Sequence, residues 1–329
     1  MVIPLVAAGM AAMVGCSKTP VKEAAKNDAI NLANLDTAVA PGTDFYQYAC
    51  GGWMKNNPLK PEYARFGTFD QLRDNNQEQI RTLIEGLSET PGQEGSVGQK
   101  IGMLFAMGMD SVKLNEDGYA PIKDQLAEIN KLGTKDELTK MVATLHKEGM
   151  APFFALYVGA DEKNSSMNIV QLYQAGLGMG DRDYYLLEDE SSQKMREAYK
   201  NYITRLFTLI GSSPEQADAA VNAIMKIERG IAEVSFSRED LRDSQKNYNK
   251  MSIEGFKAKN DLLNWDVYFE SMGMMDIKYL DAKQLSFYEG LSALMKNTTL
   301  DEQKYYLTFN LLSSAAPYPV SYTHLRAHE

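Results

Sequence analysis

The sequence has 329 residues, 44% hydrophobic and 24% charged, enough for two ordinary domains or one large one with a sizeable core. Its formal net charge of −10, with no dense Lys/Arg run, argues against a nucleic-acid partner. Two cysteines, Cys16 and Cys50, rule out a disulfide scaffold and a cysteine-based zinc module, and any histidine chemistry is confined to His146, His324 and His328.

Residues 2–15, VIPLVAAGMAAMVG, form an apolar run of signal-peptide length, too short to span a bilayer. The stretch Val14-Gly15-Cys16-Ser17 is similar to a bacterial lipoprotein cleavage site, which makes Cys16 the lipidated first residue of an exported, membrane-anchored protein. A plain secretory signal or a buried strand are the other readings, and the usual basic n-region is missing because Val2 follows Met1 directly. Residues 17–40 are polar and Ala-rich without a period and read as a flexible tether, so the globular part starts near Pro41.

Aromatics at 45, 46, 48 and 53 with the Gly51-Gly52 pair predict a tightly packed turn beside a short helix. A helix then starts near Thr68, with Phe69, Leu72, Ile80, Leu83, Ile84 and Leu87 at helical spacing, and ends at Pro91-Gly92. Further helices are predicted at 97–109, 119–131 and 134–149; His146, next to Lys147, reads as a charge at a helix C-terminus. Residues 153–175 hold two β-rich runs around Asp-Glu-Lys-Asn-Ser-Ser and predict one β-hairpin. Gly176, Gly178 and Gly180 follow; their GxGxG spacing, with no Lys-Ser/Thr after it, predicts a turn rather than a phosphate loop. The acidic stretch 188–190 opens a helix. Two long helices then carry core-facing seams, Met195, Tyr199, Tyr202, Leu206 and Leu209 on the first and Val221, Ile224, Ile227, Ile231 and Val234 on the second. Gly211-Ser-Ser-Pro214 connects them, with a Ser cap and Pro early in the second helix. Helices at 251–259, 281–295 and 300–314 complete a mainly α fold.

Several colinear motifs resemble peptidase family M13, the neprilysin-like and PepO-like zinc endopeptidases. DFYQYACGGWMKNNPLKPEYARFGTFDQLRD at 44–74 is similar to the opening of the family's mature domain. Lys113-Leu-Asn-Glu-Asp-Gly118 with Pro121, Ile227-Glu228, Ser237-Arg-Glu-Asp240 and Tyr248-Asn-Lys-Met251 match further points in order. Gly176-Leu-Gly-Met-Gly-Asp-Arg-Asp-Tyr-Tyr185 is similar to the family's Gly-Leu-Gly-Leu-Pro-x-Arg-Asp-Tyr-Tyr signature, with Met179 and Gly180 in place of Leu-Pro. The resemblance spans residues 41–316. It implies two lobes: a thermolysin-like lobe holding zinc through His-Glu-x-x-His and a later Glu, and a largely helical lobe that covers the cleft. This chain is similar to the helical covering lobe, with one β-hairpin at 153–175.

No His-Glu-x-x-His occurs in the sequence. His324-Leu-Arg-Ala-His328 has histidines at i and i+4, but Leu325 stands where the catalytic Glu belongs. The expectation is therefore no metal ligand and no catalytic residue in this chain, with zinc belonging to the intact enzyme. The family pattern fades near Ala315-Ala-Pro-Tyr318, and Pro319 onward reads as a non-native tail. The implied organisation is a signal segment (1–16), a tether (17–40), the M13 N-terminal domain (41–318) and the tail (319–329), with the catalytic lobe as a missing partner. In the family the cysteine before Gly-Gly-Trp pairs with one near the far C-terminus, which leaves Cys50 an unpaired thiol or, more blandly, a small buried hydrophobe.

Arg65 and Arg73 are the candidate substrate contacts. They lie eight residues apart flanking a helix start, so they could share a face, and arginine grips a carboxylate with two parallel bonds. Arginines matching this pattern in the family receive the C-terminal carboxylate of short peptides; the bland alternative is pairing with Asp70 or Asp74. Arg182, Asp183, Tyr184 and Tyr185 read as a structural ion pair with packed tyrosines. The functional reading is the N-terminal part of an exported zinc endopeptidase cleaving oligopeptides, inactive by itself. The alternatives are a lipid-anchored, non-catalytic peptide-binding module and a structural surface lipoprotein.

Overall fold

The computed structural model describes residues 31–59, 63 and 65–317, so Cys16, His324, His328, the signal segment and the tail from Pro319 lie outside the described residues. The chain divides into two compact units at Leu87/Ser88.

The first unit contains α1 (Phe45–Asn56) and most of α2 (Thr68–Glu89). Asp44 caps α1 by accepting from Gln47 N at 2.9 Å, as an N-terminal Asp does when it satisfies an orphan amide. The predicted glycine turn is in fact helical: Gly51 and Gly52 sit inside α1. The reason is close approach. A Cβ on Gly52 would lie 2.4 Å from Ala33 O, and one on Gly51 would lie 2.7 Å from the Asp36 side chain. Asp36 fixes this contact, accepting from Gln47 Nε2 at 3.1 Å while its own N–H reaches Tyr48 O at 2.8 Å. The last residues assigned to the tether are therefore bound to α1. Helix α2 forms where predicted, but its apolar stripe is not buried: Phe69 is 89% exposed and Leu83 63%.

The second unit holds α3 (Val97–Met109), α4 (Ser111–Asp117), α5 (Lys123–Lys131), α6 (Lys135–Lys147), β1 (Phe154–Asp161), β2 (Asn164–Gln174), α7 (Asp183–Leu186), α8 (Glu190–Leu209), α9 (Pro214–Val234), β3 (Lys250–Ser252), α10 (Ile253–Lys259), α11 (Trp265–Met272), β4 (Tyr279–Ala282), α12 (Leu285–Lys296) and α13 (Leu300–Ala315). The fold is mainly α, as expected. The hairpin is present, with Phe154 opposite Gln174 and Val158 opposite Val170. Its connection is only Glu162-Lys163, because β2 already begins at Asn164 opposite Asp161, after which the register shifts and Asn168 faces Ala160. The strands form a four-stranded sheet in the order β1-β2-β4-β3, in which β4 runs parallel to β2. Strands β3 and β4 occupy the starts of the segments predicted as helices at 251–259 and 281–295. They are three and four residues long, too short to show a period of two.

Helices α8 and α9 carry the predicted seams with an adjustment. Tyr199, Tyr202 and Leu206 are buried, but Met195 and Leu209 are exposed, and Ile203 and Phe207 take their places. An apolar stripe advances about 100° per residue, so it widens to neighbouring positions rather than following one strict spacing. The α8–α9 connection is as read: Ser213 forms a capping box with Gln216, Pro214 is the first helical residue, and Gly211 has φ of +87°. Around β1 an aromatic cluster joins Phe154, Phe256, Trp265, Tyr268 and Tyr288, with ring centroids 4.9–5.9 Å apart. Phe153, at the entry to the hairpin, has φ of +67° with its ring fully buried. Its N–H donates to Tyr306 Oη at 3.2 Å, and that hydroxyl donates onward to Gly176 O at 2.8 Å.

Candidate functional site

Two groups of residues hold chemistry, one in each unit. In the first unit Trp53 stacks on Phe66 at 6.0 Å, and Tyr63 meets the same ring edge-on at 5.1 Å. Tyr63 Oη donates to Asp74 Oδ1 at 2.8 Å, which ties this aromatic wall to α2. Arg65 and Arg73 are not brought together by a shared helix face, because α2 begins at Thr68 and Arg65 precedes it in irregular backbone. Arg73 takes the pairing that the sequence left open: Nη2 lies 3.2 Å from Asp70 Oδ1 and Nε 3.8 Å from Asp74 Oδ1, with the guanidinium 5.8 Å from the Tyr63 ring. Arg65 is exposed and forms no hydrogen bond or ion pair with a described residue. Of the two, Arg65 has its planar fork open to an incoming carboxylate. Cys50, half-buried in α1, is a free thiol.

In the second unit a cleft of about 550 Å3 opens between the Gly176–Gly180 loop, α9 and α13. Glu228 lines it and is 1% exposed. Its Oε2 accepts from Tyr185 Oη at 2.6 Å and its Oε1 from Tyr199 Oη at 2.9 Å, with the Gly178 N–H as a third, weaker donor. Burial raises the Glu228 carboxyl to about 8, against the pull of these donors, which favour the ionised form. Tyr185 Oη also accepts from Met179 N at 3.0 Å, so the loop and the carboxyl share one tyrosine. The loop needs glycine here: a Cβ on Gly178 would lie 1.8 Å from Tyr199 Oη. The predicted pair within Arg182-Asp183 is not formed among the described residues. Arg182 donates to Ser235 O at 2.6 Å, and it is Asp181 that pairs with Arg238.

Sequence reasoning did not single out Glu228 as a buried group. The available signal was an acid set between Ile227 and Ile231 in an otherwise apolar seam, with Tyr199 on the facing helix. His146 also departs from its reading as a helix-end charge. Its Nε2 lies 3.1 Å from Pro152 O, which can only accept, so Nε2 carries the proton and Nδ1 accepts from Tyr268 Oη at 2.6 Å. Burial lowers His146 to about 4, so the ring is neutral near pH 7 and carries no charge for the helix dipole.

Residues 41–327 match the sequence profile of peptidase family M13. The chain is 29% identical to endothelin-converting enzyme 1 of Mus musculus over 87% of its own length and 38% of that protein's. It is 32% identical to endothelin-converting enzyme 1 of Rattus norvegicus over 71% of its length and 31% of that protein's. Among solved structures, the zinc metalloprotease Zmp1 of Mycobacterium tuberculosis in complex with an inhibitor superposes with a TM-score of 0.79 at 24% identity, over 90% of this chain and 45% of that one. PepO from Lactobacillus rhamnosis superposes with a TM-score of 0.69 at 20% identity, over 88% of this chain and 45% of that one. The two structures share the fold. The profile places the chain more closely: it belongs to peptidase family M13 and corresponds to the family's N-terminal region. It spans less than half the length of these relatives.

M13 peptidases depend on zinc, and the residues described here do not fit that ion. No group of three or more His, Cys, Asp or Glu among the described residues could hold a metal, and His146 has both ring nitrogens engaged.

The two displaced groups set a pH dependence of stability. Glu228 is raised from 4.5 to about 8, so between those values the folded state holds the extra proton and stability falls as pH rises. His146 is lowered from 6.5 to about 4, so between those values the unfolded state holds the extra proton and stability rises with pH. The two effects oppose below about 6.5, and above it Glu228 acts without His146. Urea unfolding of the wild-type chain is expected to lose stability from about pH 6.5 to 8, by at most about 1.4 kcal/mol per pH unit. Glu228→Gln should flatten that arm; an equal slope in both proteins would assign it to another group.

Proposed function

We propose that this chain is the helical covering part of an exported zinc endopeptidase that acts on oligopeptides, and that by itself it lacks activity. The observation carrying this reading is the M13 match over residues 41–327 in a sequence without His-Glu-x-x-His. A zinc peptidase needs two ligating histidines on one helix face and a Glu to activate the bound water, and the sequence offers no such set. Support for an oligopeptide substrate comes from Arg65, which is exposed and precedes in sequence Phe66, the ring on which Trp53 and Tyr63 pack. An exposed guanidinium suits the terminal carboxylate of a peptide. Export rests on residues 2–17 and a lipid on Cys16; no helix among the described residues is long and apolar enough to cross a membrane.

The purified chain is expected to hydrolyse no peptide, with or without added zinc, when followed by mass spectrometry of an oligopeptide mixture. Chelator-sensitive cleavage by a clean preparation would overturn this. In the same preparation, Arg65→Ala should weaken binding of a free-acid peptide by about tenfold and leave the C-terminally amidated peptide unchanged, in line with the roughly 1.5–3 kcal/mol of a charge-assisted hydrogen bond. Equal effects on both peptides would remove Arg65 from carboxylate recognition. Expressed in a bacterium with radiolabelled palmitate, the chain should take up label, and Cys16→Ala should not; label retained by the variant would refute the anchor.

A further inference from the structure

The Glu228 cleft has a charge imbalance that the rest of the fold does not correct. Glu228 is the one charged side chain among the described residues lining it. The groups facing its carboxyl from packed elements are Tyr185 on α7, Tyr199 on α8 and Tyr306 on α13, and none brings a positive charge. The nearby cations do not line the cleft: Arg229 pairs with Glu233 and donates to Tyr185 O, and Arg182 donates to Ser235 O through Nη1, while its Nε is buried without a partner. A buried carboxylate without a cation is costly, and burial accordingly pushes this one upward.

A ligand could supply what the protein omits. The cleft volume of about 550 Å3 falls within the roughly 300–1,000 Å3 of small-molecule sites. A carboxylate offers about four acceptor positions, and the tyrosines and Gly178 use at most three. Asn310 also lines the cleft; one hydrogen of its Nδ2 goes to Tyr306 O at 2.8 Å, and its Oδ1 is an acceptor. The Ser314 hydroxyl stands at the exposed end of α13. Leu177 and Phe309 add apolar surface beside these acceptors. A buried carboxyl, further acceptors and apolar walls in one cleft, with no cation among the described lining residues, suit an alkylammonium group.

We propose that the cleft between the Gly176–Gly180 loop, α9 and α13 binds a primary ammonium on an aliphatic stem, with Glu228 as its counter-ion. The chemistry is shared by a lysine side chain and by a free small amine. Because an ammonium favours the ionised carboxyl, its binding expels the Glu228 proton where that proton is present. The site does not rest on the peptidase reading, and hydrolysis of peptides by the chain would leave it untouched.

The test is calorimetric or NMR titration of the full 329-residue chain at pH 8.5 with acetyl-lysine amide, n-butylammonium chloride and the uncharged acetyl-norleucine amide. Acetyl-lysine amide is expected to bind at least tenfold more tightly than acetyl-norleucine amide. Glu228→Gln should abolish that preference, and Ser314→Trp, which fills the mouth and leaves Glu228 intact, should weaken both ammonium probes at least tenfold. If Glu228→Gln fails to fold, Ser314→Trp decides. Tighter binding of acetyl-lysine amide than of n-butylammonium identifies a peptide lysine as the source, and the reverse order identifies a small amine. Equal binding of the lysine and norleucine probes, or ammonium affinities unchanged in Ser314→Trp, overturns the proposal.

Discussion

A carboxyl group taken out of water must be hydrogen-bonded, and the position of Glu228 obliges several elements of the second unit to meet. Tyr185 comes from the short helix that follows the glycine loop and Tyr199 from the long helix packed on α9. Met179 hangs on the same Tyr185 hydroxyl. Moving any of these elements strands a donor or an acceptor in the interior, which costs more than the net value of the bond itself. The glycines of the loop follow from this arrangement. The tyrosine oxygen occupies the space where a side chain at position 178 would begin.

Much of the fold was legible in the sequence because its devices are local. The α8–α9 corner could be read from Gly211-Ser-Ser-Pro214, since a positive-φ glycine, a capping serine and an early proline each act within one turn. The hairpin was legible for the same reason. The β3 and β4 strands were not, because their three or four residues owe their conformation to partners elsewhere in the sequence; Leu280, for instance, pairs with both Met251 and Val170. Glu228 escaped notice because its burial depends on tyrosines 43 and 29 residues away. His146 misled for a related reason: its sequence neighbours suggest a solvated helix end, while its ring contacts Tyr268, 122 residues later.

The arginine pair shows how a motif can be real while its geometric reading fails. Tyr63 and Phe66, ahead of α2, are held by aromatic packing with Trp53 and by the Tyr63–Asp74 bond, while Arg73 lies inside α2. Arg73 is absorbed into that framework through two aspartates. Arg65, two residues before the residue that precedes α2, has no ion-pair partner among the described residues. Similar residues eight positions apart thus end in different chemical states, and the difference comes from where the helix begins.

Phe153 carries a consequence for how the chain assembles. A buried phenylalanine with positive φ is strained, and here the strain is held by a hydrogen bond and a ring contact to Tyr306, 153 residues downstream. During synthesis the hairpin can pair its own strands early, yet the bend that leads into it cannot be locked until α13 has left the ribosome. Closure of the second unit therefore waits on one of its last helices. A contact of such long range makes folding slow compared with the local helical turns that precede it, and the half-built intermediate keeps its sheet while lacking its fixed entry.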